Sequence, residues 1–537
     1  MVECDYIVVG AGSSGSVLAA RLSEDPATTV VLLEAGGDHN HALIDMPLAW
    51  MKASMTPRFD WQYQTEPEPH LDGRSLPFPR GKLLGGCSSV NGTMYIRGAG
   101  ADYDGWRDAG LPGWGYADVL PYFKRIETNW RGGGAERGDA GPLAVSPLTR
   151  DPKLTPAFIA AAGELGLPES ADFNVERPEG FGLPDVSVRK GRRHSTARAY
   201  LDPAANRPNL KVETQALASR VIVENGRAIG VEFLRDGQVQ RILCRREVIL
   251  SGGAFNSPHL LMLSGIGDPV QLQQHGIAVQ AALPGVGGNL QDHAMALSFF
   301  AANGPITFDS QLRLDRLALG VLQWQLFGTG ICNYSPLSVQ GFLRSTPEQP
   351  RPDLQFQVSH TSFLARPWFP GWRKGAGHQF TAGALLLNPE STGTVTLRSA
   401  DPREKPAVVT NFMAAEGDVV RLREAVRFTR RLFATRAASA LVTAELGPGP
   451  QVQDDAAIDA WNRATVMSGG HPTSTCAMGT GPAAVVDAEL RVREVEGLRV
   501  ADASVMPNII RGNTNAPCIM IAEKAADLIR GRAAPVA

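Results

Sequence analysis

The 537-residue chain lacks a charge excess: 52 basic side chains stand against 54 acidic ones, a formal net charge of −2. Nothing in that balance attracts a polyanion, which makes nucleic acid a poor partner. Nor is there a run near the ~20 uninterrupted apolar residues of a membrane-spanning helix. The longest suspect, Leu317 to Phe327, is short and carries Gln323 and Gln325. It reads as an amphipathic helix against the core, with a partner or membrane contact as the rarer alternative. The six cysteines (Cys4, Cys87, Cys244, Cys332, Cys476, Cys518) form no CxxC and no cluster, so free thiols are expected. No charged leader with an apolar stretch precedes Asp5-Tyr-Ile-Val-Val9, so the expected location is cytoplasmic. A Gly-x-Ser-x-Gly elbow is missing, which leaves a hydrolase triad without its anchor. His39 and His41 sit among Gly, Asp and Asn and read as an exposed loop; no metal is expected.

What is present is ordinary for a soluble globular protein, 43% apolar and 20% charged residues. The length exceeds one hydrophobic core and implies about two domains. The chain opens as a strand, a glycine turn, a helix from about Gly15 to Glu24 and a second strand, Val30 to Leu33. That βαβ opening predicts an α/β protein with a largely parallel sheet. Strand-like runs at Leu210–Val212, Val221–Val223 and Val231–Phe233, broken at Glu224-Asn-Gly226, predict a meander with an Asn-Gly hairpin. A strand at Glu247–Leu250 runs into a helix at His259–Leu263. Another at Gly497–Ala501 precedes a helix over Ala516–Ile529, with Glu523, Lys524 and Asp527 on its wetter face. Strand-then-helix units at the start, middle and end suggest one cofactor domain assembled from separated pieces. Residues 301–464 would form a second layer over it.

Three motifs carry chemistry. Gly10-Ala-Gly12-Ser-Ser-Gly15 follows a strand and opens a helix. Gly10 permits the tight turn, Gly12 lets backbone approach a pyrophosphate, and Gly15 lets helix and strand pack closely. Phosphates there meet helix N–H groups and the positive dipole end. Glu34 ends the second strand, where a carboxylate accepts from ribose hydroxyls. The second motif runs from Gly81 through Gly85-Gly-Cys-Ser-Ser-Val-Asn91-Gly92 to Tyr95, small residues that allow close passage of backbone by a flat ligand. The third is Gly253-Ala-Phe-Asn-Ser-Pro-His259 through Gly267.

Together these segments resemble the glucose–methanol–choline oxidoreductase family. The likeness extends through Asn289-Leu-Gln-Asp-His293 to the last helix, so it covers essentially the whole chain. Cys87 is a mild departure, since small hydroxyl residues or glycine are usual there. The resemblance implies FAD in an elongated mode, bound by a Rossmann-like domain beneath a substrate domain with a large, mainly antiparallel sheet. The expected FAD domain comprises 1–45, 75–150, 206–300 and 465–537; the substrate domain comprises 46–74, 151–205 and 301–464. By motif position Ser13, Ser14 and Glu34 would hold the ADP part, and Asn91 and Gly92 would lie beside the flavin. Ala218 would offer backbone to the adenine, Asp502 would face the ribityl or pyrophosphate section, and Thr514 would join the cofactor contacts. Relatives that attach FAD covalently use a histidine just before the asparagine; here it is Val90, so noncovalent FAD is expected.

The resemblance also implies the catalytic pair. His471, in Gly470-His-Pro-Thr-Ser-Thr-Cys476, looks like the active-site histidine, and Asn513 matches a second position held in relatives by histidine or asparagine. An imidazole titrating near pH ~6.5 can accept the alcohol proton as hydride leaves for flavin N5. The amide can hydrogen-bond the substrate oxygen without a competing charge. His293, His259 and His275 are expected to be structural. Choline-type enzymes are expected to carry an acid four positions before the phenylalanine of a segment like Gly341-Phe342, and here that position is Ser338. A neutral primary alcohol, aliphatic or aromatic, is therefore expected ahead of choline, since only cation–π help would remain. Trp324, Tyr334, Phe342, Phe363, Trp368 and Phe369 could line an apolar pocket, although core packing explains most of them. The electron acceptor (oxygen, a quinone or another compound) stays open, as does a lyase of the same fold that uses FAD without redox change.

Overall fold

The structure is a computed structural model that describes residues 2–535. Its first layer is a seven-stranded sheet. In order across the sheet lie Leu210–Glu213, Val30–Leu33, Val2–Val9, Gln238–Leu250, Arg227–Arg235 and Leu217–Glu224, and Leu498–Val500 also pairs with Gln238–Leu250. Val2–Val9 runs parallel to both neighbours, as Leu498–Val500 does to Val248–Leu250. Val30–Leu33 is buried throughout, as expected of a strand covered on both faces. The Asn-Gly hairpin is present, joining Leu217–Glu224 to Arg227–Arg235 with Asn225 and Gly226 at φ 50 and 76 in its turn, and Gln238–Leu250 completes the meander. The Leu210 run is not part of it, since Leu210–Glu213 pairs parallel with Val30–Leu33 at the far edge.

Helix Gly15–Leu22 packs on this sheet beside the last helix, Asn515–Arg530. The wet face expected of the last helix is not there: Glu523, Lys524 and Asp527 are all buried. Arg21 and Arg125 reach Glu523, and Arg125 also reaches Asp527, so these charges are paired between helices. The Lys524 ammonium lies 5.2 and 5.3 Å from the Trp114 and Tyr122 ring centres.

The second layer is a seven-stranded antiparallel sheet, ordered Val442–Gly447, Ala294–Ala302, Gln379–Leu386, Leu354–Ser359, Leu337–Leu343, Gly180–Gly182, with Met467–Ser468 pairing the start of Ala294–Ala302. The chain contributes Gly180–Gly182 to this layer, comes back at Ala294 and last touches it at Met467–Ser468, so the expected boundary at 300 falls within a strand and that at 465 just before one. One face packs on helix Glu416–Ala434 through a core that includes Phe300, Phe356, Phe380 and Phe433. Period-two alternation turns Gln340, Gln355 and Gln357 to the opposite face.

One surface expectation fails, and another holds on one face alone. His39 is buried rather than exposed, its ring nitrogens 3.1 Å from Asp38 and Asp202. Helix Leu314–Phe327 buries only Gly320 and Trp324 fully and leaves most of its leucines in solvent. All six cysteines are free.

Candidate active site

The glycine turn folds as its spacing requires. A Cβ on Gly15 would stand 1.8 Å from the Gly10 carbonyl oxygen, so no other residue fits between strand and helix. Glu34 is buried at the end of its strand, accepting from the backbone N–H of Ala11 (2.9 Å) and of Gly36 (2.8 Å). Burial pushes its carboxyl up to about 7 despite those two donors. Gly86 lies against Gly12, where a Cβ would meet the Gly12 Cα at 2.7 Å, and Thr196 ties the two loops through Ser88 Oγ (2.9 Å). Ser14 donates to the Cys518 carbonyl and Ser13 to Asn515, so both hydroxyls anchor the last helix to the turn. Asp502 accepts from Gly253 N–H, Ser257 Oγ and both Ser504 donors, which ties the third glycine segment to the turn that follows Leu498–Val500. Ala218 lies on Leu217–Glu224 and Thr514 at the start of the last helix.

The donor set fits a flavin dinucleotide. Arg193 is a fully buried guanidinium with no carboxylate at ion-pair distance; it donates to Ile44, Ser88 and Asn91, and its Nη2 has no protein partner. Burial lowers its pKa to about 9. A buried cation beside Asn91 without an anion suits a site that takes an electron-rich or anionic cofactor. Gly92 stands open next to Trp50. Val90 is buried and carries only carbon, so it offers no point of attachment.

The layers bring His471 and Asn513 together. Asn513 Nδ2 lies 2.9 Å from His471 Nε2, and His471 Nδ1 lies 3.0 Å from His293 Nδ1. With the Asn513 NH₂ turned toward it, His471 Nε2 is placed to accept, an arrangement that fits the tautomer with its proton on Nδ1, facing His293. His293, expected to be structural, stands against the His471 ring at hydrogen-bond distance. Asp292 is buried behind both, accepting from the backbone N–H of His471 (2.8 Å) and of His293 (2.9 Å) and from Ser468 Oγ. Burial pushes its carboxyl up to about 6. Burial, then His293 and Arg80, hold His471 well below the ordinary histidine value, and burial takes His293 down to about 3. Both rings are thus neutral at physiological pH.

The second sheet supplies groups that sequence reasoning missed. Gln355 Nε2 donates to Asn513 Oδ1 (3.0 Å) and to Gln340 Oε1 (3.1 Å), which Gln357 also approaches at 3.2 Å. Ser338 is buried in the same sheet, bonded to His360 Nδ1 at 2.9 Å. The six aromatic candidates do not gather into one pocket: Trp324 and Phe342 are core residues in separate clusters, whereas Phe363 and Phe369 are exposed. Among the described residues no group of three His, Cys, Asp or Glu side chains could hold a metal ion.

A dinucleotide turn with its terminal acid, joined to an imidazole–amide pair under an antiparallel sheet, defines an FAD-binding oxidoreductase. The chain belongs to the GMC oxidoreductase family, matching its N-terminal part over residues 4–295 and its C-terminal part over 389–522. It is 44% identical to the oxygen-dependent choline dehydrogenase of Brucella anthropi, over 99% of this chain and 96% of that protein. It is also 44% identical to mitochondrial choline dehydrogenase of Mus musculus, over 99% and 90%. Similar solved structures include pyridoxine 4-oxidase of Mesorbium loti (30% identity, TM-score 0.88, 99% and 100% coverage) and a formate oxidase (27%, 0.91, 99% and 98%). The protein is an FAD-dependent alcohol-oxidising enzyme of the dehydrogenase or oxidase kind.

Proposed function

We propose that the protein oxidises a primary alcohol to the aldehyde, with His471 Nε2 as the base for the hydroxyl proton. The approach of Asn513 Nδ2 to His471 Nε2 carries this reading. A hydroxyl set between them would donate to Nε2 and accept from Nδ2, and His293 would stabilise the ring from behind as it gains charge. FAD, when bound, supplies the hydride acceptor. The depressed affinity of His471 for protons keeps it in the accepting form at neutral pH.

Two substrate readings have support. The names of the relatives favour choline across the whole chain. The sheet face favours a neutral alcohol: Gln340, Gln355, Gln357 and Ser338 are uncharged, and an ammonium there would lose hydration without gaining a carboxylate. Choline and its neutral isostere 3,3-dimethylbutan-1-ol have nearly the same shape and differ in charge. Rapid mixing of each with the oxidised holoenzyme under anaerobic conditions decides between them. Faster bleaching by the isostere supports the neutral reading, and faster bleaching by choline replaces it. A flavin that stays oxidised with every primary alcohol would overturn alcohol oxidation in favour of a non-redox lyase. Acid precipitation should release the FAD into the supernatant, as Val90 implies.

A further inference from the structure

Helix Leu314–Phe327 is apolar on two faces. Inward, Leu317, Gly320, Val321 and Trp324 pack with Met46 and Cys332. Outward, Leu319, Leu322 and Leu326 follow one another at i, i+3, i+7, and Phe327 adjoins them. No charged residue occurs between Arg316 and the helix end. Past Arg316 only Gln323 and Gln325 interrupt this apolar surface, and a helix with a second apolar face beyond the one it packs on is normally covered there, by a larger core or a non-aqueous phase. The loop 363–374 lies beside its start: Leu314 N–H donates to the Trp368 carbonyl and Trp368 N–H to that of Leu312. That loop adds Leu364 and Trp372, and these two with Leu319, Leu322, Leu326 and Phe327 are between 54% and 77% exposed. Scattered exposed leucines need no explanation, but clustered apolar side chains of this size on two adjoining segments do.

The charges around the patch say what covers it. Segments 313–327 and 363–374 contain Arg313, Arg316, Arg366, Arg373 and Lys374 against Asp315 alone, a net of +4 within a chain whose total is −2. Asp315 is already paired with Arg313 at 2.6 Å. The turn touching the far end of the helix adds Arg189 and Lys190, both exposed. Arg373 stacks over Trp372 at 4.5 Å, a pairing of aromatic and cation that suits the boundary between headgroups and acyl chains. A symmetric dimer through this face would press the same positive patch against itself, which argues against a second copy. Among the described residues no helix is long and apolar enough to cross a membrane, so the contact would be peripheral.

We propose that this face docks on an anionic lipid surface, with the outer leucines of helix Leu314–Phe327 and loop 363–374 entering the headgroup boundary and the basic rim holding the phosphates. Basic residues near an anionic leaflet are attracted to its phosphates, and the apolar face adds its own burial. The test is co-sedimentation of the FAD-loaded enzyme with phosphatidylcholine vesicles, with and without phosphatidylglycerol. The expected result is at least tenfold stronger partitioning onto the anionic vesicles, weakened by salt. The double variant Leu322→Glu/Leu326→Glu should lose that partitioning while keeping FAD and its rate of flavin reduction by a soluble alcohol. The triple variant Arg366→Ser/Arg373→Ser/Lys374→Ser, which changes only exposed side chains, should lose most of the preference for anionic lipid. Equal sedimentation with and without phosphatidylglycerol would overturn the proposal, as would unchanged binding in both variants. A dimer in solution that Leu322→Glu dissociates would overturn it in favour of a second copy.

Discussion

The two sheets are built on opposite principles, and the site needs both. The first is held by backbone: its ligand-facing features are a glycine turn, strand ends and N–H groups, set within about thirty residues of the start and repeated near 251 and 502. The second is held by side chains. Its inner face offers Gln340, Gln355 and Gln357, and one of these reaches an asparagine 158 residues further along. A backbone site depends on local geometry and tolerates little change; a side-chain site depends on register and can be rewritten without disturbing the fold. Recognition of the cofactor should therefore fail through backbone support, and recognition of substrate through single side chains.

The sharpest break of that comparison lies between the layers, at His471. His471→Ala should retain FAD yet slow anaerobic flavin reduction by about 10²–10⁴-fold, the usual worth of a positioned base. The rate should partly recover at high pH, where alkoxide forms unaided. In the parent enzyme the base works deprotonated, and burial holds its pKa below the ordinary value. Activity should thus be lost only as pH falls through a value below ~6.5. Rapid-mixing absorbance measures both effects; a parent rate in the alanine variant, or an acid limb above 6.5, removes the proposed base.

Next in size is the backbone side. Glu34→Ala leaves the Ala11 and Gly36 N–H groups without their acceptor. FAD affinity should weaken by about 1.5–3 kcal/mol, with the loaded fraction still chemically competent. The FAD-free protein offers an independent check. The Glu34 carboxyl is raised in the folded state from 4.5 to about 7, so its contribution to stability is full below 4.5 and is lost as pH rises through about 7. Replacement by Gln should flatten that part of the pH–Tm curve, and an unchanged curve would show that Glu34 is not the group responsible.

The same contrast explains what the sequence made legible. Gly10 and Gly15 were readable because sterics demand glycine at that spacing, and Gly12 and Glu34 because they complete the strand–turn–helix pattern and the strand end that follows it. The Asn225-Gly226 hairpin was readable because both residues take positive φ. His471 and Asn513 were proposed only through resemblance, since nothing local to either residue predicts that the two side chains meet. Gln355 was invisible because its role exists only once Leu354–Ser359 is aligned beside Leu337–Leu343 and faces the chain at Asn513. The contact between His293 and His471 was hidden for a related reason, since the two lie 178 residues apart. Glu523 and Asp527 looked wet because helical periodicity records charge but not the arginines that another helix brings to it.

Gln355 gives the smallest effect and the finest test. Its Nε2 donates to Asn513 Oδ1, which leaves Asn513 Nδ2 to face His471 Nε2. Gln355→Leu removes that constraint, so the Asn513 amide is free to rotate. In the rotated form its oxygen would draw a proton onto Nε2, the atom that must be empty for the alcohol. Flavin reduction should slow by about 0.5–1.5 kcal/mol, up to roughly tenfold, with FAD content unchanged. Gln355→Glu should be worse than Leu, because a carboxylate can only accept and would favour the rotated amide outright. A general loss of packing predicts the reverse order, since Glu keeps the shape of Gln and Leu does not. Equal rates in both variants and the parent would mean that Asn513 is oriented by something other than the second sheet.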